Sequence, residues 1–146
     1  MQPPAGKESD LISQEFLADL ELAHEIEKRS KPCSSFRDGV LFRQGDSPLA
    51  LYLVKSGEVA LAMESGGRMV MYVRAGAGSL VGLPAVVENK PYSMTAAPCA
   101  GADIREIRNL EFNDLICSTP MLAIKVFQVL AAEVHLARRC CLQVIS

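Results

Sequence analysis

Two histidines, five cysteines and seventeen acidic side chains are the groups with which this chain could do chemistry. A metal-dependent β-barrel enzyme needs two or three histidines and a carboxylate converging on one ion. His24 and His135 instead stand in helical stretches on either side of the glycine-rich middle of the chain. Both read as solvated helix-face side chains, and no metal site is expected. Cys33, Cys99, Cys117, Cys140 and Cys141 form no CxxC pair and share no regular spacing. They read as small apolar fillers, a pattern suited to a reducing compartment. Carboxylate pairs such as Glu25 and Glu27, or Glu106 and Glu111, lie among Lys28, Arg29, Arg105 and Arg108 and read as salt-bridged surface. GxSxG, HExxH and P-loop patterns are absent. The expectation is a protein that is not an enzyme and uses no cofactor.

The elements that must position these groups belong to a single domain. The chain has 146 residues, 49% hydrophobic and 22% charged, the proportions of one globular unit. Fifteen basic residues against seventeen acidic ones give a formal charge of −2, so there is no basic excess to gather a phosphate backbone. The longest uncharged stretches are broken by Gly or Pro and fall short of the roughly 18 apolar residues that a spanning helix needs. MQPPAGKESD has no charged segment leading into an apolar one, as a secretory signal would. A cytoplasmic location, away from membranes, is expected.

Residues 1–10 read as a flexible arm, and 11–146 as the domain. From Leu11 to Lys31, Ile12, Phe16, Leu20, Ala23 and Ile26 recur at helical spacing and predict an amphipathic helix or helix pair. Eight of the ten glycines then fall between Gly39 and Gly82, punctuating short apolar runs. That texture predicts small antiparallel strands over Val40–Arg43, Leu49–Lys55, Glu58–Met63 and Arg68–Arg74, with Gly66-Gly67 as a hairpin turn. Tyr92–Ala97 and Asp103–Ile107 complete the β region. Asn109–Ile116 reads as a short helix, and Pro120 opens a long one reaching about Ile145. That helix has one narrow polar line, Lys125, Gln128, Ala132, His135 and Arg139, and two apolar ones. The domain would cover one apolar line and a partner helix the other.

The wording of the β segment narrows the fold. Gly39-Val40-Leu41-Phe42-Arg43-Gln44-Gly45-Asp46, followed by Leu51-Tyr52-Leu53-Val54-Lys55-Ser56-Gly57-Glu58-Val59, resembles the opening strands of cyclic nucleotide-binding domains. The run from Gly78 through Gly82-Leu83-Pro84 to Tyr92-Ser93-Met94-Thr95-Ala96 resembles that family's phosphate-binding cassette. The likeness extends from about Leu17 to Arg139 and is closest to the sensor domains of bacterial catabolite-activator and FNR-type regulators. It implies a mainly β fold, a double-stranded β-helix or jelly roll, with one or more N-terminal helices and a long C-terminal helix.

In that family a glycine turn feeds a short helix whose N–H groups face the cyclic phosphate, an arginine neutralises the phosphate, and a glutamate takes the ribose hydroxyl. Gly82 matches the glycine. Leu83 stands at the glutamate position, Tyr92 at the arginine position, and Ser93 alone remains of the polar contacts. The resemblance therefore implies an effector-sensing, signal-transducing module without the usual cAMP and cGMP contacts. Its pocket would be formed by Val81, Gly82, Leu83, Pro84, Ala85, Val86, Tyr92 and Ser93, and it would hold another small effector or none. The alternative is a protein-docking module with a vestigial pocket. A homodimer is expected through Leu122, Val126, Val129, Leu136 and Cys140. The regulators this chain resembles continue into a winged helix-turn-helix, whereas this sequence stops at Ser146, so no direct DNA binding by this chain is expected.

Overall fold

A computed structural model describes residues 12–33 and 39–145, with side chains as far as Cys140. The arm expected over 1–10 lies outside the described residues. Among the described residues, eight strands form two four-stranded sheets, and four helices pack against them. The first sheet has the order β1 (Ile12–Ser13), β5 (Arg68–Ala75), β4 (Val59–Ser65), β7 (Thr95–Pro98). The second has the order β2 (Lys31–Pro32), β8 (Asp103–Arg108), β3 (Ala50–Ser56), β6 (Leu80–Val81). All pairings are antiparallel except that of β1 with β5.

Strand alternation separates two apolar clusters. In β3, Tyr52 and Val54 point between the sheets, with Leu61, Val73, Val81, Ala96 and Ile104. Leu51 and Leu53 point the other way, into a layer shared with Leu22, Ile26, Phe112, Leu115 and Leu122 from the helices. The strand is thus buried on both faces, which accounts for its apolar run.

The Gly66-Gly67 turn closes β4 onto β5 with Ser65 opposite Arg68, and both glycines have positive φ, 60° and 78°. That is the two-residue hairpin its sequence predicts. The segment Val40–Arg43 differs from expectation: it forms no strand, and Phe42 makes only an isolated bridge to Ala96. Gln44 fastens the segment after it, donating to the Glu64 carbonyl at 2.8 Å and accepting from the Glu64 N–H at 2.9 Å.

The N-terminal helix is also shorter than its periodicity predicts. Ile12 pairs at a sheet edge and Phe16 is buried between the sheets, so α1 (Leu20–Arg29) begins only where the Asp19 carboxylate caps the Glu21 N–H at 2.9 Å. Helices α2 (Leu83–Glu88), α3 (Asn109–Ser118) and α4 (Met121–Ile145) follow. Among the described residues no helix is long and apolar enough to cross a membrane.

Candidate functional site

The cassette starts at β6, which hydrogen-bonds to β3 and so fixes where the next turn begins. Gly82 caps α2 with φ 91°, in the left-handed region. A Cβ there would stand 2.9 Å from Cε1 of Tyr92 and 3.4 Å from Cε2 of Phe42. Backbone conformation and space therefore both demand glycine. Gly82→Ala is expected to destabilise the fold by about 2–4 kcal/mol, from left-handed strain and from overpacking against two rings. A urea midpoint unchanged from that of the parent would refute this.

Tyr92 stands near the end of the cassette run. Its ring stacks on Phe42 with centroids 3.7 Å apart and planes 13° from parallel. Its hydroxyl donates to the Ala50 carbonyl at 2.6 Å and accepts from the Leu49 and Ala50 N–H groups, each at 3.3 Å. Its backbone N–H donates to the Asp46 carbonyl at 2.9 Å, while its own carbonyl accepts from Gly45 at 2.8 Å. One residue thus ties the cassette to the 45–50 loop through side chain and main chain together. Burial pushes the phenol upward, so Tyr92 stays neutral at ordinary pH.

The eight residues expected to surround an effector do not enclose one space. Leu83 and Val86 turn into the helix-side cluster, Leu83 with no exposure at all. Val81, Ala85 and Tyr92 belong to the cluster between the sheets. Gly82 is buried under the aromatic pair, Pro84 is half-buried and Ser93 is exposed. The open apolar pocket foreseen around Leu83, Val86 and Tyr92 is filled by these side chains.

A cavity of about 940 Å³ lies elsewhere, and of the eight only Tyr92 touches it. Its lining includes Phe42, Leu49, Ala50, Tyr52, Glu106 and Arg108. In β8, Ile104 points between the sheets and Ile107 points to the helices. Alternation therefore carries Glu106 and Arg108 to the same face as Ile104, at the mouth of the roll. Both read as surface charge in the sequence, and strand parity is the signal that places them on this face, Glu106 half-buried and Arg108 exposed.

The residues expected to pair two copies along α4 lie elsewhere than on an open face. Leu122, Val126, Val129 and Leu136 are buried against their own domain, none more than 7% exposed, and Cys140 packs on the cluster between the sheets. The line left open is the other apolar one: Met121, Ile124, Phe127 and Val134 are 71%, 58%, 63% and 52% exposed. Lys125 from the polar line reaches Asp19 at 2.6 Å and Glu21 at 3.1 Å, which ties α4 to the start of α1. Glu133 stands in the buried line, three residues before Leu136, at 8% exposure. Its Oε1 has no hydrogen-bond partner, and burial pushes the carboxyl up to about 8. His24 and His135 are both exposed.

A family model, the cyclic nucleotide-binding domain, matches residues 36–118, more than half of the chain. The chain belongs to the cyclic nucleotide-binding domain family. Among solved structures, the Thermus thermophilus catabolite activator protein superposes with a TM-score of 0.67 at 24% identity, over 82% of this chain and 57% of that one. The c-di-GMP responsive global regulator CLP of Xanthomonas campestris gives 0.66 at 18% identity, over 86% and 62%. The regulatory domain of Toxoplasma gondii PKA, solved with cAMP, gives 0.54 at 20% identity, over 68% and 46%. The chain spans about three fifths of the length of the first two. These likenesses concern the fold. A search of the curated proteins found no match.

Proposed function

We propose that the chain is a cytoplasmic, non-catalytic regulatory module of the cyclic nucleotide-binding family whose cassette takes neither cAMP nor cGMP and whose output runs through α4 to a second copy of itself. The single observation that carries this reading is Tyr92. At the position where the family places a phosphate-neutralising arginine, a neutral phenol spends its hydroxyl on three backbone groups and its ring on Phe42. A phosphate there would meet no cation from this position and would have to displace a buried, fully bonded side chain. Leu83, at the ribose-acceptor position, is equally committed to packing. Calorimetry with cAMP and with cGMP is expected to give no heat of binding, and micromolar affinity for either would overturn the reading.

The pairing through α4 rests on its exposed line. An apolar stripe repeating along several turns of one helix is the seam that a second helix covers. Phe127→Asp is expected to convert a sedimenting dimer to monomer while changing stability by only about 0.5 kcal/mol, because the side chain is exposed in the single chain. Val129→Asp should unfold the domain instead, since it places a charge in the buried line. A wild-type chain that sediments as monomer at every concentration would remove the pairing. Assembly only with a different protein would favour the docking module.

A further inference from the structure

We propose that the mouth of the roll is a binding site for a small aromatic zwitterion, with the size and charge pattern of an aromatic α-amino acid. The cavity has a volume of about 940 Å³, within the range that holds small molecules, and it is separate from the surroundings of Leu83 and Val86. Its inner wall is aromatic. Phe42 stacks on Tyr92 and lies 5.7 Å from Tyr52 at an interplanar angle of 32°, so three rings converge on one end. Its outer wall carries Glu106 and Arg108, on one face of β8 and two residues apart, and opposite them Arg43 and Asp46, which are already engaged, the Asp46 carboxylate accepting from the Arg43 N–H at 3.1 Å. That spacing sets their Cα atoms about 7 Å from one another.

Neither charge is paired with another described residue. Beyond the β8 backbone ladder, no side-chain ion pair or hydrogen bond joins Glu106, which is half-buried, or Arg108, which is exposed, to another described residue. The Tyr52 hydroxyl, kept protonated by burial, is likewise free of hydrogen bonds to described residues. An acid and a base held side by side bracket an ammonium and a carboxylate borne on one carbon. The rings beneath supply an apolar surface for a planar side chain. A simple anion would meet Arg108 but also Glu106, and a neutral ring would leave both charges unpaired. The zwitterion satisfies all three parts of the site. This goes beyond the reading of the cassette and does not depend on it.

The chain contains no tryptophan, so indole fluorescence in a mixture with tryptophan comes from the ligand alone. The experiment titrates the full chain into L-tryptophan, tryptamine, indole-3-acetate and indole, and follows fluorescence anisotropy. Tryptophan is expected to bind about tenfold more tightly than tryptamine or indole-3-acetate, each short of one charge-assisted contact, and about a hundredfold more tightly than indole, which lacks both. Arg108→Gln should lower its affinity to that of tryptamine, and Glu106→Gln to that of indole-3-acetate. Both variants should melt as the wild type does. The site is refuted by equal affinity for all four compounds, by no anisotropy change at the highest monodisperse protein concentration, or by tryptophan affinity indifferent to both substitutions. No cyclic nucleotide enters the experiment, so its failure leaves the cassette reading standing.

Discussion

Tyr92→Ala is expected to lower the free energy of unfolding by about 4–7 kcal/mol. The ring leaves a cavity against Phe42 and Gly82 of the kind that costs about 3–5 kcal/mol when a buried aromatic is removed. The hydroxyl leaves the Ala50 carbonyl and the Leu49 and Ala50 N–H groups without that partner, adding about 1–2 kcal/mol. Tyr92→Phe separates the two contributions: it keeps the stacked ring and is expected to cost only about 1–2 kcal/mol. Chemical unfolding of both variants measures this. If alanine and phenylalanine at position 92 destabilise equally, the ring does not hold the cassette closed. The same structure corrects the obvious route to restored nucleotide binding. Tyr92→Arg alone tests the phosphate contact, but Leu83→Glu would bury a carboxylate among Leu22, Ile26 and Leu122, and the pair is expected to destabilise rather than to bind.

Glu133 is expected to make the fold less stable as pH rises. Its carboxyl is pushed up to about 8 by burial, from an ordinary value of 4.5. Below 4.5 the folded and unfolded chains both hold the proton, and nothing is lost. Between 4.5 and about 8 the unfolded chain has released it while the folded one keeps it. Stability then falls by about 1.4 kcal/mol per pH unit, and by roughly 3 kcal/mol in all at pH 7. Above about 8 both states are ionised, and the loss levels off. Glu133→Gln removes the slope, and Glu133→Met removes the slope together with the unpartnered oxygen, so it should be the more stable of the two at neutral pH. Urea midpoints across this range decide the matter: a wild-type profile parallel to that of the glutamine variant would show that Glu133 ionises freely in the folded chain.

What could be read in advance follows the range of the physics involved. The Gly66-Gly67 hairpin was legible because a two-residue turn with positive φ at both positions is a local demand. The two apolar lines of α4 were legible from spacing alone. Which of them meets the domain was not, because that depends on how the helix is rotated against β5 and α1, and no local signal separates a line led by Leu122 from one led by Ile124. The cassette was recognisable by its wording, yet the directions of Leu83 and Tyr92 were not, since they are set by α2 and by a loop brought in from positions 45–50. Glu133 carried no motif. Its position three residues before Leu136 and four after Val129 was the available signal, overshadowed by the charge that marks glutamate as a surface residue.

The twofold burial of β3 also bears on how the chain reaches this structure. Its hydrogen-bond partners are β6 and β8, and Ala50 pairs with Arg108, while Val54 pairs with Ile104. A strand apolar on both faces therefore stays without its main partner until almost the whole β region has collapsed around it. Pairings so distant in sequence place folding in the slow class of non-local β topologies, on a scale of milliseconds to seconds. Until then β3 presents two greasy faces and open edges to other copies, so refolding yield should fall as protein concentration rises.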